Sequence, residues 1–228
     1  MDRSRFRYYD LIVHAFVAVL LISNLVGPKI CAIGPFRISG AQLFFPITYI
    51  FGDIFTEVYG YSASRRAIWI GFFASALLAT MGMIAVALPP APDWNGQQAF
   101  AAIFNFVPRM VVASLIAYWA GEFSNSFVLA KLKLVTRGRH LWTRTIGSTA
   151  VGQLVDSVIV MILAFGGTLP APMIANLIVT GYAGKVLYEA AATPLTYLVV
   201  NFLKRAEHVD AFDHTTRFNP FTGDRPVA

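Results

Sequence analysis

Long apolar stretches with few or no charged residues constrain this chain more than any other feature. An α-helix crosses the hydrocarbon core of a bilayer with about 20 mostly apolar residues. Six such stretches predict an all-α membrane protein with six transmembrane helices, folded as a single transmembrane domain over residues 1–228. The predicted spans are residues 10–26, 41–59, 67–88, 109–131, 144–165 and 173–203, and a polar C-terminal tail covers residues 204–228.

Composition supports a membrane protein. Apolar residues make up 57% of the 228 residues and charged residues only 13%, whereas about a quarter of the residues are charged in ordinary soluble domains. The net charge is +6, but the basic residues lie in short loops and tails, which argues against nucleic-acid binding. Cys31 is the single cysteine, so an intramolecular disulfide is excluded. The basic N-terminus leads into an apolar run without a small-residue cleavage site, which indicates a first span and not a removed signal peptide.

The distribution of Lys and Arg predicts the orientation, because cytoplasmic loops are enriched in positive charge. Fourteen basic residues fall on one side of the predicted spans and three on the other. Both termini are therefore expected in the cytoplasm. The three basic residues on the opposite side are Lys29, Arg37 and Arg109.

Six ionisable residues remain inside the predicted spans. A charged side chain that faces lipid at the centre of a helix costs about 2.5–3.5 kcal/mol on insertion scales, so these residues should face the protein interior or water. They are Asp53, Glu57, Glu122, Asp156, Lys185 and Glu189.

Helical spacing gathers these residues, with amides and tyrosines, into one polar stripe on each of four spans. The simplest arrangement points the four stripes at one cavity near the bilayer midplane, where transporters place substrates and coupling ions. The predicted substrate-binding residues are Asn24, Asp53, Glu122, Asn125, Gln153, Asp156, Lys185, Tyr188 and Glu189.

A purely structural interpretation accounts for part of this pattern, since side chains of opposite charge four residues apart on a helix often pair. Lys185 would then pair with Glu189, and Glu57 would pair with Arg65 or Arg66 at the interface. Glu122 and Asp156 would still need a partner from another helix, a ligand that donates hydrogen bonds, or a proton.

Carboxylates and amides surrounded by Tyr and Phe would suit a flat, polar heterocycle that is rich in donors. Five acids against one lysine disfavour an anionic substrate. The chain contains neither an H-E-x-x-H nor a G-x-S-x-G motif, so an intramembrane enzyme is disfavoured, and we predict neither a metal nor a cofactor.

A faint internal repeat accompanies the polar residues. Ser23-Asn24 resembles Ser124-Asn125, Asp53 follows Asn24 by 29 residues, and Asp156 follows Asn125 by 31. Because the first and fourth spans run in opposite directions, the two three-helix halves would be inverted copies, a common transporter plan.

Several motifs resemble those of the queuosine precursor transporters in the vitamin uptake transporter group. The most specific is FPITYIFGDIFTEVYGY over residues 45–61, followed by Arg65-Arg66. The others are Ser23-Asn24 with Pro28-Lys29, residues 121–126 (GEFSNS), 141–148 (LWTRTIGS), 153–157 (QLVDS) and 218–221 (FNPF).

This resemblance implies uptake of the 7-deazapurines 7-cyano- and 7-aminomethyl-7-deazaguanine across a bacterial inner membrane. Glu122 or Asp156 would accept hydrogen bonds from the guanine-like edge, and Asn125 and Gln153 would read its carbonyl. The resemblance leaves open which base is preferred and whether protons drive transport.

Two other classes of function remain open. The chain could be the substrate-binding membrane subunit of an ATPase-dependent vitamin or nucleobase importer, since it lacks a phosphate-binding glycine loop of its own. A structural or assembly factor would not need buried acids. The faces rich in small residues also permit a homodimer.

Overall fold

The structure, a computed structural model, describes residues 6–33, 36–104 and 108–222. Within them the chain forms seven helices, one π-helical turn and one two-stranded hairpin. The elements are α1 (Tyr9–Val26), β1 (Ile30–Ile33), β2 (Phe36–Ser39), α2 (Gly40–Ile54), the π-helical turn (Phe55–Tyr59), α3 (Tyr61–Ala87), α4 (Gln97–Phe104), α5 (Pro108–Val135), α6 (Leu141–Phe165) and α7 (Ala171–Glu207).

The helices have the length and apolar composition of a multi-pass membrane protein. Five stretches could each cross a bilayer by these criteria: Tyr9–Val26, Tyr61–Ala87, Gln97–Val135, Leu141–Phe165 and Ala171–Glu207. The second predicted span is divided between α2 and the π-helical turn, so neither part alone reaches the length of a span. The count of six spans and the inverted repeat therefore stay predictions.

The helical architecture is confirmed, and a short β-hairpin that was not predicted lies at the connection between α1 and α2. There β1 and β2 pair antiparallel, from Ile30 opposite Ser39 to Ile33 opposite Phe36. The two short runs are rich in Ile and Phe, which favour strands, and each is too short to cross a bilayer. The hairpin marks one end of the bundle, which we call the hairpin end.

The opposite end, called the tail end, holds both the start of α1 and the end of α7. The carboxylate of Glu207 accepts hydrogen bonds from the backbone N–H groups of Arg7 (3.0 Å) and Tyr8 (2.6 Å). Because the first N–H groups of a helix lack partners within the helix, this carboxylate satisfies donors that would otherwise be unpaired. The start of α1 and the end of α7 thus lie at the same end of the bundle, and the charge distribution predicts that this end is cytoplasmic.

The tail is docked against the tail end of the bundle, which its polar composition did not reveal. Asp213 is buried and accepts a hydrogen bond from the backbone N–H of Tyr61, at 3.0 Å. Arg65 donates from Nη1 to the carbonyl oxygen of Asn219, also at 3.0 Å. Polar contacts of this kind hold the described part of the tail, residues 208–222, in a defined position.

The remaining segments lie beside the predicted spans. The short helix α4 lies between α3 and α5, and residues 105–107 are outside the described residues. The last helix, α7, continues beyond the predicted end of the sixth span to Glu207.

Candidate functional site

A cavity of about 460 Å³ lies in the half of the bundle nearest the hairpin end. Residues of α1, α2, α3, α5, α6 and α7 line it, and most of its wall is apolar. Its polar groups include Asn24 on α1, Tyr118 on α5, Asp156 on α6 and Lys185 on α7. The volume falls within the roughly 300–1,000 Å³ of small-molecule sites.

Lys185 forms an ion pair with Asp156 across the α6–α7 contact, with 2.6 Å between Nζ and Oδ2. The alternative pairing of Lys185 with Glu189 is therefore wrong. The two residues lie one turn apart on α7, but the long lysine side chain reaches the neighbouring helix, where an acid faces it at the edge of the cavity. Asp156 thus has a cationic partner from another helix.

Next to Asp156 lies a buried group of polar side chains that we call the carboxyl layer. Its five members come from four different helices, and each is at most 1% exposed. They are Asp53 on α2, Glu122 and Asn125 on α5, Gln153 on α6 and Glu189 on α7. The sequence predicted that these helices share one polar centre, and the structure brings all five residues into the interior.

The layer is connected by few hydrogen bonds. Asn125 donates from Nδ2 to Oδ1 of Asp53 at 2.9 Å, and the carboxyl group of Glu189 lies beside that of Asp53. Among the described residues, both carboxyl oxygens of Glu122 and of Glu189 have no hydrogen-bond donor, and neither does Oε1 of Gln153. A buried polar atom without a partner is costly, so the layer favours donors from a ligand, from water or from protons.

Close backbone packing places Glu122 against α2. A Cβ added at Gly52 would lie 2.8 Å from Oε2 of Glu122, so only glycine leaves room for this carboxyl group. At Gly121, a Cβ would lie 2.8 Å from the hydroxyl of Tyr49 and 2.9 Å from Cβ of Asp156. The layer is thus in direct contact with the inner edge of the cavity.

Four predicted site residues lie outside the layer. Asp156 and Lys185 form the ion pair at the cavity. Asn24 lines the cavity in the half nearer the hairpin end. Tyr188 is partly buried and packs against the apolar core. The structure therefore separates the predicted set into a cavity group, a buried carboxyl layer and one tyrosine at the core.

A second group of buried charges, the tail-end network, surrounds Glu57. Arg144 donates to both carboxyl oxygens of Glu57, from Nη2 at 2.8 Å and from Nε at 3.2 Å, and Nζ of Lys204 lies 2.6 Å from Oε1. Glu57 is fully buried. Its expected pairing with Arg65 or Arg66 is wrong, because Arg65 turns to the tail and more distant segments supply the cations.

Lys133 and Asp210 complete the tail-end network and join it to the tail. Nζ of Lys133 donates to the backbone carbonyl of Glu57 at 2.6 Å and to Oδ1 of Asp210 at 2.5 Å. Burial tends to raise the pKa of Asp210, but hydrogen bonds and charge from Lys133 and Lys204 outweigh it and hold the pKa below its usual value.

Sequence reasoning missed the cations of the tail-end network because it counted them among cytoplasmic loop charges. Arg144 could have been found, since it lies in the motif of residues 141–148, but nothing in the motif indicates that its partner is Glu57.

These observations define a class of protein. A multi-helix membrane protein has an interior cavity at one end, a buried polar layer beside it, and an ion-paired closure at the other end. This is the architecture of a transporter for a small solute.

Comparison with known proteins agrees with this class. Residues 39–199 match the family described as "Putative vitamin uptake transporter". A "Probable queuosine precursor transporter" of Bacillus subtilis (strain 168) is 32% identical over 157 residues, 68% of each chain. A "Queuosine precursor transporter" of Escherichia coli (strain K12) is 24% identical over 147 residues, 64% of each chain. No solved structure matches.

The chain therefore belongs to the queuosine precursor transporter family of the vitamin uptake transporter group. It is a multi-pass membrane transporter for a small molecule and not an enzyme.

Proposed function

We propose that the protein imports queuosine precursors, 7-cyano-7-deazaguanine or 7-aminomethyl-7-deazaguanine, across a bacterial inner membrane, with its tail end in the cytoplasm. The unpartnered carboxyl group of Glu122, beside a cavity of suitable size, carries this proposal. The names of the two relatives supply the substrate class.

The chemistry of a guanine-like edge fits Glu122. That edge presents an N1–H group and an exocyclic amine, two donors side by side, and a carboxylate accepts two parallel hydrogen bonds. Both oxygens of Glu122 lack donors among the described residues. Asp156, the other acid expected to read this edge, already holds Lys185 and is the less suitable acceptor.

Amides and aromatic rings supply the rest of the site. Gln153 lies in the same layer as Glu122 and reads the carbonyl group of the base with its amide N–H, beside Asn125. Tyr49 and Tyr118 border the layer and the cavity and offer surfaces for the flat ring. Stacking on aromatic rings favours a planar heterocycle over an aliphatic solute of the same size.

Ligand-induced thermal stabilisation of the purified protein tests this function. A ligand that binds the folded state raises its apparent stability. Either deazaguanine at about 100 times its Kd should stabilise the wild type by about 2.7 kcal/mol, and guanine and a vitamin serve as comparison ligands. Glu122→Gln should reduce the stabilisation strongly, because the amide replaces one acceptor by a donor that faces the donors of the base.

Asp93→Asn is the matched control, since Asp93 is an exposed acid in the loop between α3 and α4. It should respond to the ligands like the wild type. Absence of stabilisation by either deazaguanine, in a wild-type protein that unfolds cooperatively, would refute the substrate assignment. An unchanged response of Glu122→Gln would refute the site.

A further inference from the structure

We propose that the neighbouring carboxyl groups of Asp53 and Glu189 form a proton-binding site and that each imported substrate molecule is accompanied by a proton. This inference rests on the proposed function, and it gives Asp53 and Glu189 a role other than contact with the base. The cargo of this site is H⁺, and the protein would then be a proton-coupled symporter.

The geometry of the pair supports a shared proton. Asp53 and Glu189 come from different helices, α2 and α7, and both are buried. Oδ1 of Asp53 accepts from Asn125, but its Oδ2 and both oxygens of Glu189 have no donor among the described residues. Two ionised carboxylates offer only acceptors, so a proton on one of them would convert the contact into a hydrogen bond.

The surroundings leave the pair without a compensating cation. On α5, Glu122 interacts with the pair and Asn125 donates to Asp53, and on α6 Asp156 lies near Glu122. On α7, Lys185 is bound to Asp156. On the π-helical turn, Glu57 is bound to Arg144 and Lys204. Within the described part of the chain, no cation forms an ion pair with Asp53 or Glu189. A buried acid pair without a cation favours binding a proton.

Two uncharged groups of this centre also have unsatisfied hydrogen-bonding capacity. The hydroxyl of Tyr49 and Oε1 of Gln153 are buried and also have no hydrogen-bond partner in the residues that the structure describes. Both belong to uncharged side chains, so mutual repulsion of carboxylates does not explain them. They favour a centre that is completed only when substrate and proton are bound.

The backbone carbonyls near the pair are already engaged, and among the described residues no group of three or more Asp, Glu, His or Cys is placed to hold a metal ion, which favours a proton over a metal cation. On the π-helical turn next to Asp53, the backbone carbonyl of Glu57 accepts from Lys133 and that of Val58 accepts from the tail at Ala211. The carbonyl of Gly52 accepts from the hydroxyl of Thr56. A bound Na⁺ would require several oxygen ligands at once, whereas a proton requires only the two carboxyl groups.

The position of the pair suits coupling. Asp53 lies between Glu122, which we assign to the base, and Glu57, which belongs to the tail-end network that closes the opposite end. A proton would enter from the hairpin end, through the cavity. It would leave on the cytoplasmic side once the tail-end network has opened and the substrate has been released.

Transport by purified protein in liposomes tests the inference, with 7-cyano-7-deazaguanine as the probe. Exchange of labelled for unlabelled probe without a gradient reports the proposed function alone. Accumulation driven by an acidic exterior, together with the internal pH read from an enclosed dye, reports the coupled proton. For one proton per neutral molecule, a difference of one pH unit supports at most about tenfold accumulation.

We expect the wild type to accumulate the probe and to acidify the liposome interior as it does so. Glu189→Gln should retain exchange but lose both accumulation and acidification. Asp93→Asn should behave like the wild type in every assay. Glu189→Asp keeps a carboxyl group and should restore part of the accumulation.

Several outcomes would overturn the inference. Wild-type exchange without accumulation or acidification would mean facilitated transport, and accumulation driven by Na⁺ in place of H⁺ would mean a different cation. Full accumulation by Glu189→Gln would place the proton elsewhere. Absence of exchange in the folded wild type would instead refute the proposed function, so the two failures are distinguishable.

Discussion

Asp53 and Glu57 are acids four residues apart on the second apolar segment, both fully buried, yet their surroundings are opposite. Around Asp53 lie other carboxyl groups and an amide, with no paired cation among the described residues. Around Glu57 lie the side chains of Arg144, Lys133 and Lys204. Burial alone therefore does not distinguish these two acids; the charge of their neighbours does.

The difference follows from the cost of burying charge. A buried carboxylate is tolerated when cations and hydrogen bonds compensate its lost hydration, as at Glu57. The compensated group links α5, α6, α7 and the tail, and so closes the tail end. Where compensation is missing, as in the carboxyl layer, the protein can gain it from a substrate or a proton.

The largest effect should come from removing the acid at the centre of the tail-end network. Glu57→Gln would leave Arg144 buried without a carboxylate partner, and Lys204 and Lys133 would lose the same partner. Breaking a buried ion pair costs about 3–5 kcal/mol. We expect a clear fall in the thermal unfolding temperature of the detergent-purified protein. Glu122→Gln, in the carboxyl layer, should leave that temperature unchanged or higher without ligand.

If both substitutions lowered stability equally, the contrast between the two groups of charges would be wrong. Asp93→Asn provides the baseline for an exposed acid.

A smaller effect is expected from filling the space beside Glu122. In Gly52→Ala the new methyl group would lie 2.8 Å from Oε2 and push the carboxyl group away from α2. We expect about tenfold weaker binding of 7-cyano-7-deazaguanine, or ~1.4 kcal/mol, measured by titration of the thermal shift.

Gly181→Ala is the matched control, because a Cβ there meets nothing within 4 Å. It should bind the probe like the wild type. Equal losses in both variants would indicate a general effect of glycine replacement on the helices and not a displaced carboxyl group.

The smallest effect concerns the attachment of the tail through Asp210. Contact with Lys133 and Lys204 lowers the pKa of Asp210 in the folded protein. The contact therefore stabilises the folded protein fully at pH values above the usual pKa of 3.8. This stabilisation is lost as the pH falls through the lowered pKa. Hydrogen exchange of residues 208–222 should therefore change little from pH 7 to about pH 5 and show weaker protection below about pH 4. Asp210 is nearly half exposed, so the effect should be modest.

Asp210→Asn should show weaker hydrogen-exchange protection of the tail already at pH 7. In this variant the protection should no longer decrease further when the pH falls below about pH 4. Strong protection of the tail in that variant at neutral pH would mean that Asp213 and Arg65 alone hold the tail.

Much of the architecture and of the candidate site was predictable, because a polar group that faces lipid raises the free energy of the folded protein. Long apolar stretches indicated the helices, and the acids within them had to face the interior. Asp53, Glu122, Asn125, Gln153 and Glu189 are indeed buried together. The hairpin was missed because two four-residue strands give a weak local signal beside long apolar helices.

The sequence by itself determined which polar groups lie inside this protein, since their cost in lipid depends on residue type and position along a helix. Only the tertiary structure decided how they pair. Lys185 binds Asp156 and not Glu189, and Glu57 binds Arg144 and not Arg65 or Arg66. Spacing along one helix predicts pairs within that helix, but long side chains reach across to neighbouring helices. The contrast between a compensated closure and an uncompensated site exists only after the helices have packed.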